Sequence, residues 1–133
     1  MLQISPAKVA QVIIRAREID AKVGTWDNAG DDADAESILE ARAGDATEAE
    51  LRAFIDGLND DEQTSLVALM WIGRDTYGAD ELAEAIDTAR MEKTGPTARY
   101  LLGVPLLSDY LEAGLEALGI SVEDAEDEIL KSV

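Results

Sequence analysis

Apolar residues return every three or four positions along most of this chain. Val9, Val12, Ile13, Ala16 and Ile19 form the first such stripe, the spacing of an amphipathic helix. Ser5 stands before it as a helix cap, and Pro6 takes the first helical position, where a missing N–H costs nothing. Ile4 and Val9 occupy the two ends of a hydrophobic staple. Gly24 predicts a helix end near Val23. Residues 24–34 then read as an acidic loop carrying Trp26, with Asn28 and Gly30 as breakers. A short helix is predicted over 35–43.

Two sharply marked helices follow. Thr47 and Glu50 have the spacing of a capping box, and Leu51, Phe54, Ile55 and Leu58 share one face. Asn59 and Glu62 repeat the capping signal. The segment from Leu66 to Ile72 is apolar around much of its circumference. That pattern predicts a central, buried helix, closed by Gly73 and Arg74.

A fifth helix is predicted from about Asp80 to Glu92, on the stripe Leu82, Ala85, Ile86 and Ala89. Gly95-Pro96 breaks the chain, and a short helix follows over 97–102. Gly103-Val104-Pro105 predicts a rigid corner, because a residue before proline avoids the helical region. Leu106, Leu107, Tyr110, Leu111, Leu115 and Leu118 then carry another helix to Gly119. Ser121 and Asp124 start a last, acidic helix near 121–132. No segment alternates in the manner of a half-buried strand. The expected fold is all-α: a single compact bundle of about six to seven helices spanning residues 1–133.

Composition narrows the chemistry. The chain has 133 residues, 11 Lys and Arg against 29 Asp and Glu, a net charge of −18, and neither histidine nor cysteine. Disulfides, thiol catalysis, Cys/His zinc sites and imidazole bases are therefore excluded. A direct grip on nucleic-acid phosphate is disfavoured, since it needs a basic surface. No apolar run approaches the ~20 residues of a membrane span. No basic segment followed by an apolar run opens the chain as in a secretory signal, so the expected location is cytoplasmic.

Few arrangements remain that could carry chemistry. The acidic loop fails the calcium-loop pattern: counted from Asp27, position 3 is Ala29 and position 6 is Asp32. Asp60, Asp61 and Glu62 complement a helix N-terminus and need no catalytic explanation. No phosphate-binding glycine loop, dinucleotide fingerprint or serine elbow is present. No metal or cofactor is expected. Trp71, Arg74 and Tyr77 cluster at one helix end, where the guanidinium could take a carboxylate or phosphate or cap free carbonyls. Arg99 to Leu107 is the most apolar long stretch, reading either as a core-forming helical hairpin or as a contact surface around Tyr100 to Leu107.

Three blocks of the chain resemble a bacterial family known as domain of unknown function family 3775. They are Ile4-Ser5-Pro6-Ala7-Lys8-Val9 through Glu18, Phe54 through Arg74, and Thr97 through Glu112. The resemblance implies a small helical cytoplasmic protein and carries no activity with it. It also implies a histidine–asparagine pair before Thr97, where this chain has Lys93 and Thr94.

The leading functional expectation is a non-enzymatic protein-interaction or regulatory module, with a protein partner or a second copy meeting Trp71, Arg74, Tyr100 and Leu107. A second is a small-ligand binder or enzyme with a pocket around Arg74, Tyr77, Tyr100 and Asp109. A third is an acidic mimic of nucleic acid.

Overall fold

The computed structural model describes residues 2–28, 47–93 and 95–121, and for 20–28 the backbone alone. Helix α1 spans Pro6–Asn28, α2 covers 47–56, and α3 spans Asp60–Gly73. A single 3-10 turn, Ala79–Glu81, leads into α4, Leu82–Glu92. Then come α5, Thr97–Leu102, and α6, Leu107–Ala117. Every regular element among the described residues is helical, so the fold is all-α. The short helix expected over 35–43, the remainder of the acidic loop and the acidic helix near 121–132 lie outside the described residues.

Helix α3 is the axis of the molecule. Its ten consecutive residues from Gln63 to Ile72 are all buried, as its all-round apolar pattern requires. It packs against α6, α4 and α5, while α1 lies on α6. The start of α3 is held as the sequence predicts. Asn59 Oδ1 accepts from the Glu62 backbone N–H at 2.7 Å, and Glu62 Oε1 accepts from the Asn59 N–H at 3.0 Å. This reciprocal pair satisfies two donors that helix geometry leaves open.

The crossing of α3 and α6 is set by two glycines. A Cβ at Gly73 would stand 1.7 Å from the Tyr110 carbonyl oxygen, and one at Gly114 would stand 2.4 Å from that of Leu69. Only hydrogen fits at both points, so the two backbones touch. Around this crossing Leu66, Leu69, Met70, Leu111 and Leu115 are fully buried. Ile13 from α1 and Leu51 and Ile55 from α2 complete an aliphatic core.

Three boundaries differ from expectation. Helix α1 runs through Gly24 to Asn28 instead of stopping near Val23, so Trp26 belongs to a helix and not to a loop. A glycine costs about 1 kcal/mol inside a helix and ends one only where the backbone turns left-handed. Thr47 is already helical, so it is not the residue that precedes the first turn. The helix expected from Asp80 begins as a 3-10 turn, with the Gly78 N–H donating to Glu81 Oε1 at 2.8 Å.

The corner between α5 and α6 also has its own mechanism. Gly103 keeps an ordinary backbone, and the left-handed residue is Leu106, at φ 61° and ψ 27°. Pro105 holds its own φ near −65°, so the sharp change of direction falls on the next residue. A leucine there is strained by roughly 1–2 kcal/mol, and it is 56% exposed. Helix α6 ends on Gly119, φ 78°, with Ile120 N–H donating to the Leu115 carbonyl at 2.9 Å, the bond pattern of a glycine-terminated helix.

Candidate functional site

The last turn of α3 carries Trp71, and the next two aromatics in the chain gather on it. The indole stacks against Tyr77 with ring centres 5.8 Å apart and planes inclined by 28°. Its Nε1–H donates to the Tyr100 hydroxyl at 3.0 Å. Tyr77 is tied in turn to α4, its hydroxyl 3.2 Å from Thr88 Oγ1. Three segments distant in sequence are thereby locked through one ring.

Beside this group lies an open cleft of about 570 Å³, within the range of small-molecule sites. Its apolar part is formed by Val67, Trp71, Ala89 and Pro96. Its polar part is formed by Thr64, Glu92, Lys93, Thr97, Arg99 and Tyr100. Thr64, Val67 and Trp71 follow the i, i+3, i+7 spacing of one helical face. The remaining walls come from the end of α4, the Gly95-Pro96 link and α5.

A buried amide braces the cleft from behind. Gln63 Nε2 donates to the carbonyls of Ile55 and Leu58, at 3.0 and 3.1 Å. Its Oε1 accepts from Lys93 Nζ at 2.9 Å and from Thr97 Oγ1 at 3.2 Å. Four partners fix which way the amide points. One side chain thus joins the end of α2, the start of α3, the end of α4 and the start of α5. Among the described residues no buried side-chain polar atom lacks a partner, so the bracing is complete.

The six residues singled out from the sequence do not all meet. Trp71 and Tyr100 line the cleft, and Tyr77 backs the indole. Arg74 is exposed on the turn after α3, where its Nε donates to Thr76 Oγ1 at 3.1 Å. Asp109 is exposed on the first turn of α6. Of Arg74, Tyr77, Tyr100 and Asp109, the two charged members stand away from the cleft and only Tyr100 lines it. Leu107 is 5% exposed and belongs to the core. It offers no surface to a partner, because its side chain faces inward at the first position of α6.

Sequence reasoning missed Gln63, Thr64, Lys93, Thr97 and Arg99. One signal was available: Gln63, Thr64 and Ser65 are polar residues at the head of a helix that is otherwise apolar all round. A polar side chain in such a position needs a partner. The partners lie 30 and 34 residues away, so the spacing along the chain could not name them.

Among the described residues, no group of three or more Asp or Glu could hold a metal ion. No helix among them is long and apolar enough to cross a membrane. Residues 48–120 match a family described as a protein of unknown function (DUF3775). The match covers more than half of the chain, and the chain belongs to that family. No curated protein and no solved structure matches it.

Proposed function

We propose that this member of the DUF3775 family is a cytoplasmic, non-enzymatic binding module, with regulatory output, whose recognition element is the Trp71–Tyr100 cleft. The observation that carries this reading is a cleft whose walls are tied to one another by hydrogen bonds between side chains. Binding to such a site costs little reorganisation. Catalysis by a pair of carboxylates that divide acid and base roles is disfavoured, because Glu92 is the only carboxylate among the described lining residues.

Gly95 offers a clean test. A Cβ there meets nothing within 4 Å and Gly95 lines the cleft, so Gly95→Trp is expected to fold and to narrow the cleft with its ring. Compounds that bind the wild type raise its melting temperature by mass action, by roughly 10 °C at about 100 times Kd. The same compounds are expected to leave Gly95→Trp unshifted. Equal shifts in the two proteins would sink the cleft as the binding site.

A protein partner or second copy is the second reading. It is supported by Met91, 85% exposed on the last turn of α4, next in sequence to Glu92 of the cleft. Met91→Glu is expected to abolish any concentration-dependent association seen by sedimentation, and association unchanged by it counts against this reading.

A further inference from the structure

The donors around the cleft are better supplied than the acceptors, and they are not spent. A tyrosine hydroxyl has one proton and two lone pairs. The Tyr100 oxygen already accepts from Trp71 Nε1–H, so its own proton points away from the indole. Among the described residues nothing takes that proton, and Tyr100 is 45% exposed on the cleft wall. Arg99 is its neighbour in the lining. In a chain with 29 acids, its guanidinium has neither a carboxylate within 4.0 Å nor a hydrogen bond among the described residues.

Lys93 supplies a third donor. Its Nζ is anchored by Gln63 Oε1 at 2.9 Å and lies 3.6 Å from Asp60. An ammonium has three N–H groups, so one remains for a guest. The threonine protons are used internally: Thr97 donates to Gln63, and Thr64 to the Asp60 and Asp61 carbonyls. The single carboxylate of the described lining, Glu92, stands on the α4 side. It turns an anionic group toward α5, where Arg99 and Tyr100 stand. The net charge of −18 does not reverse this preference. At physiological salt the screening length is about 8 Å, so most carboxylates of the chain act weakly on the cleft.

Resting on the binding-cleft reading above, we infer that the occupant is a small organic oxyanion. It carries a carboxylate or phosphate group held by Arg99, Tyr100 and Lys93, and a flat apolar body lying on Val67, Trp71 and Pro96. Arg99 is suited to either oxyanion by its planar fork of donors.

The test is calorimetric titration of the full chain at physiological salt with indole-3-acetate, indole-3-acetamide and phenyl phosphate. Acetate and acetamide have nearly the same shape and differ in charge. The acetate is expected to bind at least about tenfold more tightly than the acetamide, the scale of one charged hydrogen bond. Arg99 is exposed, so Arg99→Ala is expected to fold; it should cut that preference severalfold, weakening the acetate more than the acetamide, whose carbonyl is the weaker acceptor. Tyr100→Phe keeps the ring and is expected to lose severalfold for the anion. Stronger binding of phenyl phosphate than of the acetate identifies phosphate as the natural group, and the reverse identifies carboxylate. Equal affinity for acetate and acetamide, an Arg99→Ala variant that binds the anions unchanged, or no anion binding up to about 10 mM overturns the inference. Gly95→Trp separates this failure from failure of the cleft itself. Neutral binding that Gly95→Trp abolishes leaves the cleft standing without the oxyanion, whereas anion binding that survives Gly95→Trp places the site elsewhere.

Discussion

Glu62 shows how one side chain can hold two elements. Its Oε1 accepts from the Asn59 N–H, while Oε2 meets Lys8 Nζ of α1 at 2.5 Å. The Lys8 bond, and after it the backbone bond from Asn59, hold its pKa below the ordinary 4.5. The stabilisation from its charge is therefore complete above about pH 4.5 and is lost as pH falls through the lower folded value. Glu62→Gln keeps the cap, since glutamine can reach back in the same way, but loses the ionic pair. The variant is expected to be less stable than wild type near neutral pH and to converge on it in acid. Urea unfolding across pH 2–7 measures this, and a constant gap between the two proteins would refute it. The cap was readable from Asn59 and Glu62 alone, because both lie within one helical turn. The bond to Lys8 was not, since 54 residues separate the partners.

At the scale of elements, the crossing of α3 and α6 has the least tolerance. Gly73→Ala and Gly114→Ala each drive a methyl into the backbone of the facing helix. Overpacking that a flexible side chain cannot relieve is expected to cost about 3 kcal/mol or more, measured by denaturant unfolding. Gly103→Ala is the control: its Cβ finds nothing nearer than 3.5 Å and its φ is −84°, so it should change stability by less than about 0.5 kcal/mol. A Gly73→Ala protein as stable as Gly103→Ala would show that the helices do not cross this closely. The chain pattern marked Gly73 as a helix end, which it is, and Gly114 not at all. Neither residue announced a contact, because a glycine in a sequence looks the same whether it turns the chain or admits a neighbour. Leu107 makes the opposite point. Its place in an apolar run left core and contact surface both open, and its burial decides for the core. A charge at Leu107 would therefore report on folding, not on binding.

The whole molecule carries a charge of −18, and the described ion pairs draw their cations from only a few positions: Lys8, Arg17, Arg52, Arg90 and Lys93. Apart from Lys8–Glu62, whose carboxylate is largely buried, these pairs are exposed and contribute little each, whereas unpaired like charges repel across the surface. Screening should therefore help more than it harms. Raising sodium chloride from about 10 mM to about 500 mM shortens the screening length from about 30 Å to under 5 Å. The melting temperature is expected to rise by several degrees and then level off. A fall would mean that the ion pairs outweigh the repulsion.

Local rules determined much of this protein. Helix content, the α3 cap, the buried character of α3, the break at Gly95-Pro96 and the end at Gly119 all depend on residues within a turn or two of one another. Side-chain periodicity and backbone preference act over that distance. The cleft depends on something else. Gln63 meets Lys93 and Thr97, and Trp71 meets Tyr100, only because the end of α4 and the start of α5 both lie on the flank of α3. Hydrogen bonds formed across such separations are chosen by how whole helices pack, and packing is settled by volumes and close approaches, such as those at Gly73 and Gly114, that a one-dimensional pattern does not contain.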